Sequence, residues 1–377
     1  MSFVMNKPIL MIPGPMDCPD EVLRRCGHQV FPHYDVNTDF CPFYHQLVDK
    51  SRYVFGLGEG YVFIPNGSGT TAVNMMLASL CTPEDDVLAI HNGGFGGYAE
   101  KNLNNLGVPY TLVKGEPGTA IDPDKVRDEM KRKRHQFIYV THNESSTAVV
   151  NPIPPLGAIA REFDALLLVD AVSSVGGVVI DMDKAGADVV AGASQKCLEL
   201  PPGLAPVAVG ARAWSYMEAK KVRRVPFILD FMAWRKAYID QYTWHPQPVT
   251  GATTMLYALD WVMDQIIAEG LEKRQERFRA AGERLKKGMA ELGFSSGADP
   301  KYASPVVTEF VPPAGIIGED VRTYYLTKQN TMVGYGFRKN EQGVNKTFRI
   351  AHFGVAANND RIDHMIDITR KYMEERG

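Results

Sequence analysis

Cysteine is scarce in this chain and neither sign of charge dominates, and both shortages narrow what it can be. Five cysteines, Cys18, Cys26, Cys41, Cys81 and Cys197, are scattered over 377 residues with no CxxC pair and no histidine cluster beside them. That spacing supports neither a structural zinc nor a disulfide framework, and an odd, sparse set fits a reducing compartment. Lysine and arginine number 41 against 44 aspartates and glutamates, a formal charge of -3, which leaves no electrostatic footprint for nucleic acid or an anionic membrane. The basic run Lys131-Arg132-Lys133-Arg134 follows the helical pattern DPDKVRDEM and reads as a solvated helix end. No apolar run approaches the ~20 residues of a membrane span. The first residues, MSFVMNKPILMIPGP, lack the basic start and long apolar stretch of a secretory signal. A cytoplasmic protein is the expectation.

What is present is length for two packed cores and a hydrophobic fraction of 45%. Between residues 60 and 212, short apolar runs alternate with helical stretches. The runs are 61–65, 87–91, 109–113, 136–142, 165–170, 188–193 and 206–210, and most are continuous rather than alternating, as strands covered on both faces are. With AVNMMLASL, GGYAEKNLNNLG, PDKVRDEMKRK and PLGAIAREF between them, they predict an α/β fold with a mainly parallel seven-stranded sheet flanked by helices. After residue 250 come two long helices, then strand, helix, two strands and a last helix, the order of a smaller α+β unit. The expected division is an N-terminal segment 1–20, a large domain 21–255, and a bridging helix with a small C-terminal domain over 256–377.

Asp170 ends the run LLLVD, and Lys196 follows the strand-like DVVAGAS before Pro201-Pro202-Gly203. Open α/β sheets keep their chemistry at the carboxyl ends of strands. A buried carboxylate and a buried amine at neighbouring strand ends suit a cofactor that takes a Schiff base at one end and a pyridinium partner at the other. Pyridoxal phosphate is such a cofactor. Asn66-Gly67-Ser68-Gly69-Thr70-Thr71 opens a helix after a strand, where free N–H groups and a partial positive charge favour an anion, or where an ordinary turn is capped. Phe95, among glycines, could stack on a flat ring or merely pack. The polar stretch Thr141–Thr147 offers donors or simple turn chemistry. Arg349, a charge inside Phe348-Arg349-Ile350, could clamp a carboxylate or form a structural ion pair, and Arg338 in the loop after Gly336 is a second candidate.

Together these residues resemble the class V aminotransferases of fold type I, in the branch that includes alanine–glyoxylate, serine–glyoxylate and 2-aminoethylphosphonate–pyruvate aminotransferases. The likeness runs from Pro13-Gly14-Pro15 to the last helix, and is densest in THNESSTAVVNPIPPLG, LLLVDAVSSVGG and SQKCLELPPG. It implies pyridoxal 5'-phosphate held by Lys196 as a Schiff base, with Asp170 keeping the pyridine nitrogen protonated. Ser68, Gly69, Thr70 and Gln195 would hold the phosphate, Phe95 would stack on the ring, and Ser145 would lie near its phenolic oxygen. Thr250 would reach the phosphate of a neighbouring subunit, which implies a homodimer with shared sites. Gly14, Ser145 and Arg349 would meet the substrate, a small amino donor or a keto-acid acceptor.

Two segments depart from the family pattern. Pro32-His33-Tyr34-Asp35-Val36 stands where relatives carry an HRSP-like element, and Trp244-His245-Pro246-Gln247-Pro248 precedes Thr250. Both line the substrate side in relatives, which leaves the donor open. An acidic side group would turn to His33, Arg338 or His352. Alternatives on the same scaffold are a lyase, a cysteine desulfurase, or an enzyme similar to pyridoxamine–pyruvate aminotransferase. Desulfurases carry histidine before the lysine, where this chain has Gln195.

Overall fold

Runs such as Leu166-Leu167-Leu168-Val169 are apolar at every position because both of their faces are covered. Leu167 and Val169 enter one core, Leu166 and Leu168 the other, and none is more than 5% exposed. Each leucine buried this way stabilises the fold by roughly 2–3 kcal/mol. The computed structural model describes residues 7–28, 40–116, 118–220 and 224–376, so segment 32–36, with His33 and Tyr34, lies outside them.

Seven strands form the larger sheet in the order Gly60–Phe63, Val207–Gly210, Val189–Ala191, Leu166–Asp170, Phe137–Thr141, Val87–His91, Tyr110–Lys114. Val207–Gly210 alone runs against the others, as its antiparallel pairing with both neighbours requires. All seven predicted strands are there, and the fold is the mostly parallel α/β architecture that the pattern predicted. Helices Phe40–Phe55, Pro123–Arg132, Ile153–Glu162 and Thr253–Glu269 bury their apolar sides on one face, and Gly69–Leu80, Ala211–Ala219 and Phe231–Asp240 on the other.

A second sheet has five strands, in the order Ile9–Met11, Thr331–Tyr335, Phe348–Ala351, Val307–Val311, Ser295–Ser296. Helices Leu271–Glu291, Gly318–Gln329 and Asn359–Arg376 share its core. Its edge strand comes from the start of the chain, Ile9 pairing in parallel with Thr331 and Met11 with Val333. Among the described residues no helix is long and apolar enough to cross a membrane.

Candidate active site

Register sets the site. Thr141 and Ala191 lie directly beside Asp170 on the two neighbouring strands, so three strands finish in one row. Asp170 is 7% exposed and accepts hydrogen bonds from the Val172 N–H at 3.0 Å and the Tyr139 hydroxyl at 3.3 Å. Burial pushes its pKa up to about 6, against the pull of the Val172 amide. Lys196 sits in the turn five residues beyond Ala191, and its Nζ donates to the Pro13 carbonyl. Burial first, and then the Arg349 guanidinium, lower its pKa to about 8. Nζ stands 6.0 Å from the centroid of the Phe95 ring.

Two glycines press against this centre. A Cβ on Gly14, whose φ is +93°, would lie 2.6 Å from Lys196 Cδ and 2.8 Å from the Gln195 carbonyl oxygen. A Cβ on Gly69 would lie 2.5 Å from Val172 and 3.2 Å from Ala193, which seats the Ser68-Gly69-Thr70 turn between the Asp170 and Lys196 turns. Ser68 is partly buried and Thr70 exposed at the start of helix Gly69–Leu80. Gln195 is buried, and its Oε1 has no partner among the described residues. The Ser145 hydroxyl lies 3.5 Å from that of Ser173. Thr250 is exposed, and its carbonyl accepts from Asn66, the residue that opens the Ser68 turn.

Arg349 reaches the site from the other sheet. Phe348 and Ile350 point into the second core, so strand alternation sends Arg349 the opposite way. Its Nε donates to the Tyr335 carbonyl at 2.5 Å and its Nη1 to the Ser145 carbonyl at 2.7 Å. The Phe337 ring lies 4.9 Å from its guanidinium carbon. Burial lowers the Arg349 pKa to about 10, which leaves it cationic at neutral pH.

Arg338 and His352 go elsewhere. Arg338 donates to the Gly297 carbonyl and pairs with the buried Glu309 at 3.2 Å. His352 lies between Thr308 Oγ1 at 2.9 Å and the Phe278 carbonyl at 3.1 Å, and burial lowers its pKa to about 4. Gln247 is fully buried beside Gly251. Cys197 is buried against the Ser173 carbonyl with its thiol pushed up to about 12, which is no nucleophile's setting.

Three contributors escaped the sequence reading. Pro13-Gly14-Pro15 marks the start of the family likeness, but not the contact that its Pro13 carbonyl makes with Lys196. Arg274 donates through Nε to the Gly176 carbonyl at 2.7 Å, and through Nη2 to the Cys197 carbonyl at 3.3 Å and to the Glu199 carboxylate. It therefore braces the turns after Asp170 and at Lys196 from behind. Glu144, wholly buried in the Thr141–Thr147 stretch, anchors the loop that carries Phe95. Glu144 was one more polar residue in a polar stretch, and Arg274 gave no signal, since it lies on an otherwise charged helix.

A buried amine and a buried carboxylate at the edge of a mostly parallel sheet, faced by an arginine from a second sheet, fit the architecture of the fold type I pyridoxal-phosphate enzymes. Residues 46–365 match the family model for aminotransferase class-V. The chain is 33% identical over 350 residues to an uncharacterized aminotransferase of Methanocaldococcus jannaschii, covering 93% of this chain and 88% of that protein. It is 30% identical to the (S)-ureidoglycine–glyoxylate transaminase of Bacillus subtilis, covering 87% and 82%. The crystal structure of an alanine–glyoxylate aminotransferase from Nostoc superposes with a TM-score of 0.92 at 25% identity, over 98% of this chain and 96% of that one. The chain belongs to the class V aminotransferases, and it is a transaminase enzyme.

Proposed function

We propose that this enzyme moves an amino group from a small 2-amino acid such as alanine or serine, or from an amino-phosphonate-like donor, to glyoxylate or pyruvate. The observation that carries the reading is the buried Lys196 amine with its lowered basicity, set beside the Phe95 ring and the buried Asp170. Pyridoxal phosphate, when bound, supplies an aldehyde that exchanges amines and a ring that withdraws electrons from the substrate Cα. The residues present suit it. Lys196 would hold it covalently, Phe95 would cover one face, and Asp170 would carry the negative charge opposite the ring nitrogen. The helix start at Ser68-Gly69-Thr70 offers amide donors to the phosphate. The Gln195 side-chain amide, buried with an unpartnered atom, would add a polar contact.

Lys196 Nζ, when not tied to the cofactor, would take the proton from the substrate Cα and hold and move it along the same face of the site. Its pKa of about 8 places it close to neutral pH, where a general acid/base is most effective. Two of the Arg349 donors already hold carbonyls, which orients the remaining nitrogen toward a substrate carboxylate. Ser145 and Gly14 complete the substrate side. In this reading Thr250 serves the phosphate of a partner subunit in a cytoplasmic homodimer, and the chain divides near residue 255 into a large and a small domain.

The test is spectroscopic. Cofactor-free protein titrated with pyridoxal phosphate should develop a visible band that Lys196→Ala lacks, and borohydride reduction should leave the cofactor mass on the peptide bearing Lys196. Adding amino donors one at a time then identifies which of them discharges the band. A Lys196→Ala protein with an unchanged spectrum sinks the assignment.

A further inference from the structure

The start of helix Gly96–Leu106 is held in an unusual way. Glu144 is fully buried, and its Oε2 accepts from the Phe95 N–H at 3.0 Å and the Gly96 N–H at 2.9 Å. Its Oε1 accepts from the Ser146 N–H at 3.0 Å and the Ser146 hydroxyl at 2.5 Å, and that hydroxyl accepts from the Gly94 N–H at 2.7 Å. Three successive amides therefore end on one carboxylate and on the hydroxyl it fixes. By contrast, Asp122 caps helix Pro123–Arg132 at the surface. Capping alone does not require a buried charge, whose desolvation opposes folding. What the buried version adds is rigidity at Phe95, the ring that faces Lys196. The same turn also seats Arg349, because the next carbonyl, that of Ser145, accepts from Nη1.

We infer that Glu144 is a positioning residue, fixing the Phe95 ring against the cofactor and, through the Ser145 carbonyl, the seat of Arg349. The inference rests on the pyridoxal phosphate reading above. Glu144→Gln leaves one acceptor and turns an amide NH2 toward the Ser146 N–H. In cofactor-free protein, hydrogen–deuterium exchange of the peptide spanning Gly94–Gly96 should quicken by about tenfold or more. In the loaded protein the visible band should shift, the cofactor Kd should rise by about tenfold, and the donor KM should rise more than kcat falls. Ser146→Ala removes the Gly94 acceptor and one donor to Glu144 Oε1, leaves the Phe95 and Gly96 amides on Oε2, and should reproduce these changes at smaller size; it decides the matter if Glu144→Gln does not fold. A folded variant with wild-type exchange over Gly94–Gly96 and an unshifted band overturns the inference. Wild-type protein that takes up no pyridoxal phosphate overturns the functional reading beneath it, and the exchange measurement, made without cofactor, separates the two failures.

Discussion

At the carboxyl edge of the seven-stranded sheet, Asp170 closes a strand and Lys196 sits in the turn beyond its neighbour, whereas Arg349 arrives from within a strand of the five-stranded sheet. The first pair is displaced from its ordinary ionisation by burial, upward for the carboxylate and downward for the amine. Arg349 keeps its charge and is held by backbone carbonyls, one of them 204 residues away in sequence. One side of the site thus adjusts proton affinity, and the other fixes geometry. Damage to the supports of the first should appear in stability and pH dependence, and damage to the second in substrate binding.

The largest effect is expected behind the first side. Arg274→Ala strips a buried partner from Glu199 and frees the turns at Gly176 and Cys197, so it should destabilise by about 3–5 kcal/mol. Chemical denaturation measures this, and a loss under 1 kcal/mol would make Arg274 a bystander. Next is Asp170→Asn. Because the folded Asp170 pKa lies near 6, above that of the unfolded chain, its contribution is fully present at low pH and is lost as pH rises through the window from about 4 to 6. The variant of the cofactor-free protein should therefore gain on the wild type by about 2 kcal/mol between pH 4 and 7. A pH-independent difference would remove burial as the cause.

On the other side, Arg349→Lys keeps the charge but loses the planar fork. The donor KM should rise by roughly ten- to a hundredfold, with the stability curve nearly unmoved. Steady-state kinetics with the donor found by the half-reaction screen reads this directly. Arg338, bound to Glu309 and the Gly297 carbonyl, gives the contrast. Arg338→Gln should leave the donor KM within about twofold, and a tenfold rise would return it to the substrate side.

How much of this could be read in advance follows the same division. The five inner strands of the larger sheet were legible because a strand buried on both faces has few polar positions to blur it, and the half-buried edge strands Gly60–Phe63 and Tyr110–Lys114 followed from the alternation with helices. Arg349 was legible as a charge among apolar neighbours. Ile9–Met11 was not, because its partner strand begins at Thr331 and nothing in three residues names a partner that far away. Helix Phe40–Phe55 and the stretch around Phe231–Asp240 lie between recognisable motifs and carry no signal of their own chemistry. Arg338, in a loop, was the second candidate beside the strand-borne Arg349. They separated when Glu309, two residues into the strand Val307–Val311, proved to be the buried partner of the first.

The first strand has one further implication. Met11 is paired with Val333 in the five-stranded sheet, and Pro13, two positions on, accepts from the Lys196 amine. The Lys196 nitrogen is thus moored, through three residues of chain, to a sheet it does not belong to. A proteolytic nick, a fused tag or a crosslink that pulled on Ile9–Met11 would be transmitted to Lys196 as well as to the core that Met11 enters.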